Sequence, residues 1–154
     1  MNIRINGRLK KLLLLCMLIT LISCSKNISN EIVDENKLDE NLVNQCISAS
    51  LEFEKKQDIE LKIDYIDTII VGQAGYAYLL DADFNILEHP NQEYIGINLF
   101  DITGELFVNP LNKLVEVESH LFYEYEFDNI ENLIYFYKSR SNQILVITGL
   151  NAFK

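Results

Sequence analysis

The sequence predicts an α+β domain: a long N-terminal helix packed on a roughly five-stranded antiparallel sheet. Three observations predict it. Leu38, Leu42, Cys46, Ala49 and Phe53 recur at three- and four-residue intervals, with Val43, Ile47 and Leu51 beside them. After Gly75 the apolar period drops to two, as strands require. The end of the chain is three aromatic and aliphatic runs parted by short polar breaks, the pattern of an antiparallel meander.

Bulk properties narrow the function. The 154 residues suit one domain once a targeting segment is set aside, and 49% hydrophobic with 23% charged residues is globular material. Four of the 13 basic residues and none of the 23 acidic ones lie in residues 1–23, so the remainder holds 9 basic against 23 acidic residues, a net −14. Such a surface repels nucleic acid and anionic headgroups alike.

The N-terminus reads as a secretory signal. Arg4, Arg8, Lys10 and Lys11 precede the apolar run 12–22, which is about half the ~20 residues a membrane span needs. The "LISC" that follows looks like a bacterial lipobox, with Cys24 as the lipidated residue; the alternative is an ordinary signal peptide with a chance cysteine. Several acyl chains on one cysteine anchor a protein stably without a span. This divides the chain into a signal peptide (1–23), a lipidated cysteine with a polar tether (24–36) and a folded domain (37–154). Cys16 leaves with the signal, so Cys46 has no internal disulfide partner and reads as a buried thiol.

The elements follow in order. The apolar stripe predicts a helix over about 39–57. Asp58 is placed to cap a second helix, with Ile59, Ile63, Ile66 and Ile70 on one face and Gly72 at its end. "YAYLLD" and "NILEHP" are short strands joined by a tight turn, and a helix is expected near 110–117. "HLFYEYEF", "NLIYFYKS" and "QILVITGL" complete the sheet.

Two motifs in residues 72–91 suggest other functions and fail. Asp81-x-Asp83-x-Asn85 has the opening spacing of a calcium loop, but Ile86 stands where the bend needs glycine and Gln92 where a bidentate Glu closes the cage. Gly72 and Gly75 lack the following Lys-Ser/Thr and helix of a phosphate loop. The hairpin remains. "GYAYLLDADFNILEHPN", then "IGINLFD", then the aromatic strand pair and "NQILVITGL", resemble in order and spacing the bacterial single-Cache domain, a PAS-like extracellular sensor. Phe84 departs from the pattern, standing where that turn usually has glycine, and the chain carries no second span or signalling module before Lys154.

The resemblance implies a pocket lined by Tyr76, Tyr78 and His89, with Tyr125 and Tyr135 nearby. Tyrosine offers an apolar wall and a hydroxyl, which suits a small polar ligand. His89 has two open roles: a titratable donor to a ligand, or a holder of the turn through Pro90. His120 reads as surface, and two histidines so far apart give no metal site. Lys138 and Arg140 point away from Tyr135 and Tyr137 by alternation, Lys113 lies nearer the pocket's cap, and Asp81 and Asp101 read first as turn and cap residues. With the lipobox, the resemblance reads as a lipid-anchored binding protein on the periplasmic or cell-surface side of a bacterial membrane. With no nucleophile–base pair, metal cluster or close carboxylate pair in the sequence, an enzyme and a cofactor are not expected. The ligand is expected to be a carboxylate or amino acid. A cationic ligand is equally open because of the acidic surface, with Asp81 or Asp101 then the counter-charge. The signal is expected to pass to a membrane receptor or transporter, unless the protein only sequesters its ligand. A homodimer through the long helix is a further expectation. The alternative is an interaction lipoprotein with the same fold and no small ligand, its tyrosine faces serving a protein partner.

Overall fold

The computed structural model describes residues 30–72, 75–116, 119–127 and 130–150. The expected signal peptide, Cys24 and the first part of the expected tether lie outside them. The core is a six-stranded, wholly antiparallel sheet in the order β1-β4-β5-β6-β2-β3. Its strands are β1 (Glu31–Val33), β2 (Tyr76–Leu80), β3 (Ile86–Glu88), β4 (His120–Phe127), β5 (Ile130–Lys138) and β6 (Ile144–Leu150).

The sixth strand corrects the expected tether. Residues 31–33 pair with β4, Ile32 opposite Tyr123 and Val33 opposite Phe122, so the domain begins before residue 37. Ile32 and Val33 pack against opposite faces of the sheet, and their backbones pair with what would otherwise be the open edge of β4.

One face of the sheet carries α1 (Glu40–Lys55) and α2 (Ile59–Ile66). The Asp39 carboxylate accepts the Leu42 N–H at 2.9 Å and starts α1. Of the predicted stripe, Leu42, Val43, Cys46, Ala49 and Phe53 are buried against Ala77, Leu79, Phe122, Leu133, Leu145 and Ile147. Leu38 and Ile47 pack there partly buried, and Leu51 is instead exposed. Because the stripe otherwise covers the sheet, the exposed positions of α1 are Leu51 and polar residues such as Asn41, Asn44 and Ser48. An apolar dimer seam along α1 therefore has little left to build on. Cys46 is wholly buried, and burial pushes its thiol up to about 12.

The second helix is shorter than expected. It ends at Ile66, where the backbone N–H and the hydroxyl of Thr68 both donate to the Tyr65 carbonyl. The β-branched run Thr68 to Val71 favours extended backbone over another helical turn. Ile69 is consequently buried while Ile70 is 77% exposed, so Ile70 does not share the face of Ile59, Ile63 and Ile66. Asp58 stands at the cap position without a side-chain bond. Val71 then bridges to Gly75, where a Cβ would lie 2.3 Å from the Val71 carbonyl oxygen; only glycine fits.

The other face carries α3 (Leu99–Thr103), α4 (Val108–Glu116) and the chain between β3 and α4. Leu111 and Leu114 of α4, with Leu99 and Phe107, pack on Tyr78, Leu80, Tyr123, Ile134, Phe136 and Val146. The alternation along β2 thus holds: Tyr78 and Leu80 on one face, Ala77 and Leu79 on the other. Central strands β5 and β6 are buried on both faces, which is why "LIYF" and "ILVI" read as continuous apolar runs.

Candidate ligand-binding site

The β2–β3 turn that resembled a calcium loop uses its carboxylate internally. Asp81 accepts the backbone N–H of Asp83 at 2.9 Å and of Asn85 at 2.8 Å, and the Asn85 side-chain amide at 2.9 Å. Phe84 takes the left-handed conformation, φ 66°, that its glycine-like position requires. Its ring lies 5.1 Å from that of Phe100, and its carbonyl accepts the Leu99 N–H. Packing by α3 thus compensates the backbone strain.

The turn delivers β3 and then His89-Pro90-Asn91. His89 Nδ1 accepts the Asn91 backbone N–H at 2.9 Å, so the neutral ring carries its proton on Nε2. Of its two open roles, His89 fills the backbone-holding one through Nδ1 and still has Nε2–H to give. Asn91 then caps a short 3-10 turn (Gln92–Tyr94), and Asn98 caps α3 through the Phe100 N–H. These caps fold residues 89–107 over the sheet.

Between that segment and the sheet lies a cavity of about 160 Å³. Tyr76 and Tyr78 from β2, Tyr125 from β4 and Thr148 from β6 form one wall; His89, Tyr94, Ile102 and Phe107 form the opposite one. The His89 ring sits 5.7 Å from Tyr76, 5.2 Å from Tyr78 and 5.0 Å from Tyr94, within a cage of phenols. Phe107 meets Tyr125 edge to face at 5.1 Å, and the Tyr125 hydroxyl reaches Thr148 Oγ1 at 3.5 Å. Tyr78 is 5% exposed, yet its hydroxyl bonds no other described residue. Burial drives that hydroxyl well above the ordinary phenol pKa, with Tyr125 and Tyr76 adding to it, so it stays protonated. Tyr76 is raised the same way, first by burial. His89 is held below the ordinary imidazole value chiefly by burial.

Four of the five expected residues, Tyr76, Tyr78, His89 and Tyr125, therefore meet around one cavity. Tyr135 does not. It pairs with Phe122 across the β4–β5 ladder and faces α1, where its hydroxyl donates to Ser50 Oγ at 3.2 Å. Tyr125 stands three residues beyond Phe122 on β4, which puts it on the other face. An odd step along one strand separates the two tyrosines; their shared residue type hid it. Tyr94, Phe107 and Thr148 were not foreseen. Thr148 carried a legible signal, a hydroxyl within the apolar run of β6 and directly opposite Tyr76. Tyr94 lies in a loop where no periodicity applies.

The charged candidates sit elsewhere. Asp101 is exposed on α3, and the Lys138 ammonium donates to the Val115 carbonyl at 3.1 Å. His120, read as surface, lies 3.4 Å from Glu35, just past the end of β1. Larger concavities elsewhere are open: about 610 Å³ beside that pair and about 470 Å³ between α1 and α2. Neither gathers the aromatic and hydroxyl groups of the β2–β6 cavity.

No family model and no curated protein matches the chain. Among solved structures, a methyl-accepting chemotaxis protein from Vibrio parahaemolyticus is similar over 74% of this chain and 86% of its own, at 12% identity and a TM-score of 0.50. The ligand-binding domain of Mlp24 with asparagine is similar over 59% of this chain at 16% identity and a TM-score of 0.45. The extracellular domain of the histidine kinase mmHK1S-Z3 is similar over 58%, at 20% identity and 0.47. The chain spans 34% of the length of each of these last two. The fold is α+β and Cache/PAS-like, as the sequence predicted.

Proposed function

We propose that this chain is an extracytoplasmic binding protein, anchored by lipid on Cys24, that senses a small polar metabolite in the β2–β6 cavity and passes occupancy to a membrane receptor or transporter. The observation that carries the reading is the cavity itself: Tyr76, Tyr78, Tyr125 and Thr148 of the sheet face His89, Tyr94 and Phe107 across it, with the Tyr78 side chain 5% exposed in its wall. A ligand there meets both walls. The same ligand meets β2, β4 and β6 on one side and the 89–107 segment on the other, so binding ties that segment to the sheet. Exposed Ile95, Ile97 and Ile102 lie on the tied segment and offer a partner an apolar surface whose position depends on occupancy. No helix among the described residues is long and apolar enough to cross a membrane.

The test is a thermal-shift screen of the purified chain against amino acids, small carboxylates, amines and amides. A ligand specific for the folded state stabilises it by about 2.7 kcal/mol at a hundredfold excess over Kd. The shift is expected to vanish in Tyr78→Ala and His89→Ala and to persist in Tyr135→Phe, whose hydroxyl lies on the far face. A Tyr135→Phe variant that loses binding while remaining folded counts against this cavity. The same three isoleucines favour a second reading, an interaction lipoprotein without a small ligand; a silent screen together with partner capture lost in Ile95→Glu supports it.

A further inference from the structure

We infer that the ligand of the β2–β6 cavity is a small molecule without formal charge that both donates and accepts hydrogen bonds, of the amide or urea class. This rests on the sensor reading above. No Asp, Glu, Lys or Arg lines the cavity among the described residues. On the covering segment Glu93, Asp101 and Glu105 are exposed, and other charges on the surrounding strands and turns are engaged elsewhere. Asp81 is closed within its turn, the Glu88 carboxylate accepts the His89 backbone N–H at 3.1 Å, and Lys138 holds the Val115 carbonyl. His89 adds no charge, because its Nδ1 accepts the Asn91 N–H.

A carboxylate, an ammonium or a zwitterion entering this site would lose its hydration with no opposite charge to replace it, a penalty of several kcal/mol per ion. What the walls do offer matches a neutral polar molecule. The hydroxyls of Tyr76, Tyr78 and Tyr94 bond no other described residue and rotate to donate or accept, and His89 Nε2–H donates. Flat rings at Tyr76, Tyr94 and Phe107 suit a planar conjugated group. About 160 Å³ admits a compact ligand and lies below the ~300–1,000 Å³ of drug-sized sites.

The experiment titrates the full chain in mild detergent by calorimetry with two isosteric sets: benzamide, benzoate and benzamidine, then acetamide, acetate and acetamidinium. The amide of at least one set is expected to bind about tenfold or more tighter than its anion and cation. Tyr78→Phe is expected to weaken that amide by about tenfold and leave the free protein's melting temperature in place, since the deleted hydroxyl has no bond to another described residue. Saturable binding of an anion or cation as tight as its amide, lost in Tyr78→Ala, overturns the uncharged class and leaves the sensor reading standing. Absence of binding by all six probes overturns the uncharged amide class, and the sensor reading then falls only if the broader thermal-shift screen is silent too.

Discussion

His89 couples the site to pH through one hydrogen bond. Protonating Nδ1 removes the acceptor of the Asn91 N–H and places a charge among three phenol rings in a buried site. Burial accordingly lowers its pKa from the ordinary 6.5. Below pH 6.5 the unfolded chain takes up this proton before the folded one does. Stability is therefore full above 6.5 and declines as pH falls through that value toward the lowered folded pKa, by at most about 1.4 kcal/mol per pH unit. Denaturant midpoints of wild type and His89→Gln across this range are expected to differ by a pH-dependent amount that levels off above 6.5. An imidazole NMR titration of His89 with its midpoint above 6.5 sinks the argument.

At the scale of elements, the Val71–Gly75 bridge between α2 and β2 constrains the site's wall. Val71 and Gly75 exchange backbone bonds, Gly75 N–H to the Val71 carbonyl at 2.9 Å, and this pair starts β2 in register for Tyr76 and Tyr78 to face the cavity. Gly75→Ala forces a methyl to 2.3 Å from that oxygen and 3.0 Å from Leu150, so the bridge has to open. The expected loss is about 2 kcal/mol or more by chemical denaturation, with weaker ligand binding from displaced tyrosines. A neutral substitution here implies that the bridge does not set the register. Elements of this kind were unevenly legible. α1 and the meander were readable because burial on one helix face or on whole strands imposes a period on many residues. β1 was not, because three residues in a polar stretch carry too little period, and its stability comes from a partner strand distant in sequence. The overrun of α2 has the same origin: Ile70 keeps helical spacing, but Thr68 and the Val71–Gly75 bridge decide where the helix stops.

The molecule as a whole places its site and its proposed anchor on a short leash. Alternation within β2 put Tyr76 and Tyr78 on one face, as the structure has them. The resemblance set Tyr135 near the pocket, but the β4–β5 register puts it on the other face, since relative parity depends on turn lengths and register that one strand does not encode. The same register puts β1 at the sheet's edge, with its first paired residue at Glu31. If Cys24 carries lipid, only six peptide units separate it from Asn30, a reach of at most about 20 Å when fully extended. An acidic domain held that close to a bilayer has little freedom to reorient, and a partner receptor would meet it in a narrow range of heights. Cys24→Ser is expected to move the protein from the detergent phase to the aqueous phase in a cloud-point partition and to abolish incorporation of labelled palmitate, with ligand binding unchanged. A Gly/Ser insertion of about twenty residues before Asn30 keeps the lipid and the binding but adds roughly 25 Å of flexible span by the square-root law for such linkers. Loss of the downstream response in the insertion variant, at unchanged Kd, assigns the short tether a role in signalling. An unchanged response means that the partner reaches the domain without regard to its height above the membrane.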